Sequence, residues 1–153
     1  MAIHFLNEDV NLKIKEKSNL KRWIEKVIRL ENKMPGLIQF VFCSDESLLI
    51  KNQTFLSHNT LTDIITFDYS TDRIISGEIY ISLDRVKENA LKFNCKEEEE
   101  LRRVIIHGVL HLCGYEDKSE KQKKQMRNKE NNSLILFDTI FNNKSVSSSR
   151  KKL

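Results

Sequence analysis

Strands are predicted where β-branched and aromatic residues are concentrated between polar turns. Three such stretches occupy residues 37–43, 63–69 and 74–83. The polar residues Thr71 and Asp72 separate the last two stretches, so these two strands should pair as an antiparallel hairpin. A weaker strand region covers residues 3–14 and is interrupted near Asn7.

Apolar residues at helical spacing predict helices between and after these strands. Their approximate bounds are residues 18–32, 44–55, 84–93, 97–113 and 119–131. The fourth helix begins with Glu97 and three further glutamates, which favour the positive end of the helix dipole. Its second half is apolar around the whole helix axis, so this half should be buried in the centre of the protein. Residues 134–141 should form either a last helical turn or a short strand.

Together these elements predict an α+β fold, a small mixed β-sheet with about five helices packed on it. The length of 153 residues suits one compact domain, and a hydrophobic content of 39% is enough for its core. We therefore expect a single domain at residues 1–141. The pattern does not predict the order of the strands in the sheet.

The net charge of +4 comes from the C-terminal end of the chain. Residues 142–153 contain four basic residues and no acidic one, and without them bases and acids are equal in number. This segment is predicted to be a disordered basic tail, which either adds salt-dependent affinity for RNA phosphates or acts only as a solubilising end.

A second basic run covers residues 118–129. Its lysines Lys121 and Lys124, together with Lys51, are the candidates for RNA binding, because a local basic face attracts phosphates. A solvated helix face is the alternative interpretation of such a run.

The apolar pattern predicts neither a membrane segment nor a secretion signal. No apolar run approaches the roughly 20 residues that cross a bilayer. Glu8 and Asp9 interrupt the N-terminus where the apolar segment of a signal peptide would continue. Cys43, Cys95 and Cys113 are odd in number and form no CxxC pair, which is typical of a reducing compartment. We expect a cytoplasmic protein without a membrane partner.

Candidate chemistry is concentrated at the end of the fourth helix. His107 and His111 are four residues apart, so both imidazoles project from one face about one turn apart and can reach a single ion. Gly114 is placed to end the helix, and Asp117 can then return a carboxylate toward the two rings. The pattern HxxxHxxGxxD therefore predicts one metal ion held by His107, His111 and Asp117, with a fourth coordination position left open, as in catalytic zinc sites.

Other interpretations of these residues are open at this stage. The histidines could be core residues and Asp117 a surface aspartate. A purely structural zinc would usually have a fourth protein ligand, and Cys113 is the only nearby candidate. It points about 200° around the helix from His111, so core packing is its expected role. Gly108, inside the helix, indicates either a ligand close to the backbone or tight packing against a strand.

The segment HGVLHLCGYED resembles the HGxLHLxGYDH signature of the YbeY family, bacterial metal-dependent endoribonucleases of rRNA maturation. Asn52 followed by TDIITF at residues 62–67 is similar to the LN…TDVLSF block of that family, and GEI at residues 77–79 is similar to its GDI strand. The likeness covers about residues 1–140. It implies a single-strand-specific endoribonuclease that matures the 3′ end of small-subunit rRNA and takes part in ribosome quality control. Its implied partners are single-stranded RNA, rRNA and the small ribosomal subunit, without DNA.

The resemblance also implies a cofactor and a ligand set. The cofactor would be one Zn²⁺ or another divalent ion, and the three ligand positions of the family fall on His107, His111 and Asp117. Two positions depart from the family. Asp117 stands where the family has a third histidine, and aspartate is a competent oxygen ligand with a different metal preference. Leu56 stands where the family has an arginine that is thought important for activity, and His58 is the candidate to replace its charge, or an ordinary loop histidine.

Two other functions compete with the nuclease. The ligand spacing is also that of metzincin peptidases, but in HExxH peptidases the glutamate after the first histidine is the general base, and here Gly108 occupies that position. The second alternative is a non-catalytic ribosome-assembly factor with a structural metal, which the absence of the family arginine favours. No catalytic side chain other than the candidate His58 is predicted.

Overall fold

The computed structural model describes residues 2–56 and 62–141. His58 and the predicted basic tail, residues 142–153, lie outside the described residues. The elements in chain order are β1 (Ala2–Asn7), α1 (Lys17–Leu30), β2 (Met34–Cys43), α2 (Asp45–Leu56), β3 (Ile64–Asp68), β4 (Ile74–Ser82), α3 (Leu83–Lys92), α4 (Glu97–Leu112) and α5 (Glu120–Phe141).

The four strands form one mixed sheet in the order β1-β2-β4-β3. β1 pairs with β2 and β2 with β4 in parallel, whereas β3 pairs with β4 in antiparallel. Thr66 lies opposite Ile79 in that last pair. The predicted α+β fold and the predicted hairpin are therefore confirmed. No helix within the described ranges is long and apolar enough to span a membrane.

Alternation along the strands divides the buried residues between the two faces of the sheet. Ile38, Phe40 and Ile79 belong to the large core, which also includes apolar residues of α1, α4 and α5. Cys43 and Ile65 point the other way and form a small separate cluster with Leu48 of α2. Helix α2 thus covers one end of the face opposite α4.

Helix α4 occupies the centre of the large core, as its apolar second half predicts. It contacts α1, α3, α5, β3 and β4. Ile105, Ile106 and Val109 have no exposed surface. A Cβ atom at Gly108 would lie 2.9 Å from side-chain carbons of Ile64 and Ile79, so this glycine allows close packing on the sheet. Of the two interpretations of Gly108, packing against a strand is the correct one.

Two predicted elements have different limits in the structure. The strand predicted over residues 3–14 ends at Asn7, near the predicted interruption, and Asp9 binds the start of α2 instead of continuing the pairing with β2. Asp9 accepts hydrogen bonds from the backbone N–H and the hydroxyl of Ser44 at 2.9 and 2.5 Å. The segment at 134–141 continues α5, where Phe137 packs edge to face on Trp23 with ring centroids 5.2 Å apart.

Candidate metal centre

Two histidines on one face of α4 approach each other through their Nε2 atoms. The Nε2 atoms of His107 and His111 are 3.0 Å apart, and the two ring planes are inclined by 84°. Both side chains keep about a fifth to a quarter of their surface exposed, at 20% and 24%. The four-residue spacing therefore places two potential ligand atoms at the edge of the core, in reach of solvent.

The turn after α4 returns the chain toward the two histidines and places Asp117 beside them. Gly114 has a φ of +109°, a backbone conformation that side chains disfavour. Its N–H donates to the carbonyl of His111, and the N–H of Tyr115 donates to Leu110, the paired bonds of a Schellman motif. The reversed chain places Asp117 Oδ2 at 3.3 Å from His107 Nε2 and 3.6 Å from His111 Nε2.

These three atoms suit a small divalent ion. A tetrahedral zinc with bonds of about 2.0–2.1 Å holds its ligand atoms about 3.3 Å apart. The three observed separations, 3.0, 3.3 and 3.6 Å, lie around that value. His107, His111 and Asp117 therefore form a group that could hold a metal ion, with three ligands from residues 2–56 and 62–141.

Cys113 is not part of this group. It is half-buried and packs against the large core, as expected from its position on the helix. Burial raises the pKa of its thiol to about 12, so the thiolate that binds metals is disfavoured.

The Nδ1 atoms of His107 and His111 also have hydrogen-bond partners. His107 Nδ1 lies 2.5 Å from Glu130 Oε2, and His111 Nδ1 lies 2.9 Å from the carbonyl oxygen of Tyr115. Because both partners accept hydrogen bonds, each Nδ1 carries the proton and each Nε2 presents its lone pair to the third group. Carboxylates and carbonyls in this position orient histidine ligands and increase their basicity.

Glu130 is a buried carboxylate, only 5% exposed, and it accepts hydrogen bonds from His107 and Arg103. Burial raises its pKa, but the hydrogen bonds from His107 and Arg103 outweigh this and lower the pKa overall. Burial likewise disfavours protonation of His107, but the nearby carboxylates, Glu130 first, raise its pKa overall. The pKa of His111 is lowered by burial and by the charge of His107, which keeps this ring neutral and available as a ligand.

Tyr115 connects the ligand-bearing turn to the rest of the fold. Its hydroxyl donates to Glu31 Oε1 at 2.6 Å, and Lys129 Nζ lies 3.0 Å from the other oxygen of Glu31. The carbonyl that orients His111 is therefore fixed by a residue at the end of α1 and one on α5.

The predicted RNA-binding lysines do not converge on this site. Lys51 is paired with Glu8 at 2.6 Å and lies over the ring of Tyr80, on the sheet face that α2 covers. Lys121 and Lys124 are exposed on α5. Lys121 is nine residues from Glu130 and so points about 180° away from it around the helix. RNA binding by these three residues stays a prediction.

Sequence reasoning did not identify Glu130, which contacts His107, or Arg103, which contacts Glu130. It also did not identify Arg127, which lines the same cavity as His107. Arg103 is four residues before His107, so helical spacing indicated that it shares the same face. Glu130 and Arg127 belong to another helix, and no local spacing relates them to the histidines.

Comparisons with known proteins identify the family of this chain. A family model described as Endoribonuclease YbeY matches residues 4–137. A protein of Flavobacterium psychrophilum named Endoribonuclease YbeY is 50% identical over 131 residues, which cover 86% of this chain and 94% of that protein. A protein of the same name from Christiangramia forsetii is 46% identical over 135 residues, 88% of this chain and 94% of that protein.

A solved structure extends the likeness to the fold. The solution structure of a Thermotoga maritima protein superimposes with a TM-score of 0.64 at 29% sequence identity, covering 94% of this chain and 93% of that one. The resemblance inferred from the sequence motifs is confirmed, and this chain belongs to the YbeY endoribonuclease family.

Proposed function

We propose that this chain is a metal-dependent endoribonuclease that cleaves single-stranded RNA, with one zinc ion bound by His107, His111 and Asp117. Family membership supports the endoribonuclease activity, since the relatives carry that name. The observation that carries the proposal is the convergence of two imidazole nitrogens and one carboxylate oxygen within 3.0–3.6 Å of one another.

Each residue around the group has a definable task. Glu130 and the carbonyl of Tyr115 hold the two rings with their Nε2 lone pairs directed inward. Asp117, 40% exposed, keeps the third side of the group close to solvent, where a phosphate can approach. A divalent ion held there supplies Lewis-acid stabilisation of negative charge on phosphate oxygens.

The natural substrate we propose is the 3′ end of small-subunit rRNA, with the small ribosomal subunit as partner. This follows from the family resemblance together with the cytoplasmic location expected from the sequence. We assign the activity to one domain at residues 1–141. The test is a small-subunit rRNA precursor with an extended 3′ end, which the wild type should shorten and His111→Ala should leave intact.

Metal content and RNA cleavage test the activity itself. Purified wild type should carry about one zinc per chain and cut single-stranded RNA, and His111→Ala should lose both while remaining folded. His4→Ala is the matched control, because His4 is an exposed histidine on β1, away from α4. A wild type that binds zinc and RNA without cutting RNA would favour the non-catalytic assembly factor.

The peptidase alternative is weaker in the structure. Gly108, at the position of a peptidase general base, faces Ile64 and Ile79 of the sheet. Even a glutamate there would point into the core, away from the ligand atoms. Cleavage of casein by the wild type, abolished in His111→Ala, would contradict the nuclease proposal.

A further inference from the structure

A cleft of about 410 Å³ adjoins the metal centre on the side of α4 that leads to its N-terminus. Helices α3, α4 and α5 form its walls, and His107 is one of its lining residues. Its lining also includes Asn89, Phe93 and the two cations Arg103 and Arg127, together with the carboxylates of Asp63, Glu99, Glu100 and Glu130.

The cleft and the ligand group share one face of α4. Arg103, His107 and His111 follow each other at intervals of four residues, so they form a single stripe along the helix. His107 presents Nε2 to the ligand group and Nδ1 to Glu130 beside the cleft. An RNA strand with a phosphate at the ligand group therefore has room for a neighbouring nucleotide along the same face.

The two arginines of the cleft differ in their engagement. Arg103 donates to Glu130 at 2.9 Å and to Asn131 at 2.9 Å, so its guanidinium is held in place. Arg127 is exposed and, within residues 2–56 and 62–141, has no hydrogen bond or ion pair. It is close enough to Glu100 for its charge to act on that carboxyl. Arg127 is thus the cation available to a ligand in this cleft.

Phe93 supplies an aromatic surface at the opposite wall. Its side chain is 60% exposed at the end of α3, with Lys92 Nζ 5.5 Å from the ring centroid. An exposed ring in the same cleft as a free arginine is a combination by which proteins bind unpaired bases and their phosphates. Asn89, one turn earlier on α3, offers an amide to a base edge.

We infer that this cleft is a nucleotide-binding subsite, in which a nucleobase stacks on Phe93 while a phosphate of the same strand binds Arg127. The inference rests on the proposed function, since it places the nucleotide next to the one being cleaved.

Equilibrium binding of RNA tests the base contact. The probe is a fluorescein-labelled 2′-O-methyl oligouridine of about ten nucleotides, followed by anisotropy with the full, metal-loaded chain. Phe93→Ala should weaken binding about tenfold, and Phe93→Tyr should restore it. Leu91→Ala is the matched control, because Leu91 is 84% exposed on the same helix and does not line the cleft. Equal affinities for Phe93→Ala and Leu91→Ala would overturn the subsite.

Salt dependence tests the phosphate contact. Arg127→Gln should weaken binding several-fold and reduce the slope of log affinity against log salt by about one. Lys123→Gln removes the same charge from the same helix at a position outside the cleft and should change the slope less. Equal changes in the two variants would mean general electrostatic attraction and would contradict the assignment.

The outcome separates this inference from the proposed function. Metal content and kcat on short RNA should stay near the wild-type values in Phe93→Ala and Arg127→Gln, while KM rises. Wild-type cleavage with all cleft variants unchanged would refute the subsite and leave the endoribonuclease intact. RNA binding that depends on Phe93 and Arg127, without any cleavage by the wild type, would support the subsite and refute the nuclease activity.

Discussion

The neighbours of His107 toward the two ends of α4 come from different parts of the chain. Toward the C-terminus, the next ligand, the turn and the third ligand all follow within residues 108–117. Toward the N-terminus, the partners come from distant parts of the chain, with Glu130 on α5 and Phe93 at the end of α3. Helix geometry and one turn thus determine the neighbours of His107 on its C-terminal side. The packing of three helices determines those on its N-terminal side.

This difference has a physical consequence for the ring of His107. Its Nε2 atom is placed by local structure, because a four-residue helical spacing always brings the rings of His107 and His111 together. Its Nδ1 atom is placed by tertiary structure, since Glu130 reaches it only when α5 is docked through Phe137 on Trp23. The affinity of the group for a metal ion should therefore depend on the contact of His107 with Glu130, which is 23 residues away in sequence.

Glu130→Gln should give the largest effect, because it changes the distant partner of a ligand without changing its size. Zinc affinity should fall about tenfold, as is typical when the carboxylate behind a histidine ligand is replaced. The measurement is competition with a chelator at a pH where both histidines are neutral. Glu99→Gln, an exposed carboxylate lining the same cleft, is the control and should leave affinity unchanged. Equal zinc affinities for the wild type and Glu130→Gln would mean that residues 107–117 alone determine metal binding.

Gly108→Ala tests the close packing of the middle of α4 on the sheet. The added methyl group would meet Ile64 and Ile79 at 2.9 Å, and such overpacking costs about 1–3 kcal/mol. The gain in helix propensity offsets up to about 1 kcal/mol of this. The free energy of unfolding in urea should therefore fall by about 1–2 kcal/mol. An increase in stability would show that the sheet yields at this point.

Tyr115→Phe tests the anchoring of the local end. Loss of the hydroxyl that donates to Glu31 at 2.6 Å should reduce stability by about 1 kcal/mol. Zinc affinity should fall less than in Glu130→Gln, because the carbonyl that orients His111 remains. Tyr69→Phe is matched to it, since Tyr69 also donates to a glutamate, Glu78, but is 62% exposed. Its effect should stay within about 0.5 kcal/mol, and a similar loss in both variants would argue against a special role of the turn.

Glu100→Gln should give the smallest effect, with a defined pH dependence. Burial raises the pKa of Glu100 in the folded state, so its ionisation costs stability as the pH rises through that pKa. Replacing it should stabilise the protein at neutral pH and have no effect at a pH below the ordinary range of glutamate. Urea unfolding at both pH values measures this, with Glu99→Gln as the exposed neighbour. A loss of stability at neutral pH would show that Glu100 is held as a carboxylate.

Much of the fold could be predicted from the sequence where local patterns are strong. The apolar second half of α4 indicated its central position, and the β3–β4 hairpin followed from two strands around a polar turn. The interruption predicted near Asn7 is confirmed, but residues 10–14 form no strand. Asp9 accepts hydrogen bonds at the start of α2, an interaction between distant segments. Periodicity carries no information on such contacts or on the strand order.

The same division holds for the candidate site. The sequence by itself determined the ligand group, because His107, His111, Gly114 and Asp117 lie within a single helical end and turn whose geometry is fixed by backbone hydrogen bonds. Only the tertiary structure decided that Nδ1 of His107 is held by Glu130 and which cations border the cleft. Both depend on the docking of α5 on the core, because α5 carries Glu130, which contacts His107, and Arg127, which lines the cleft.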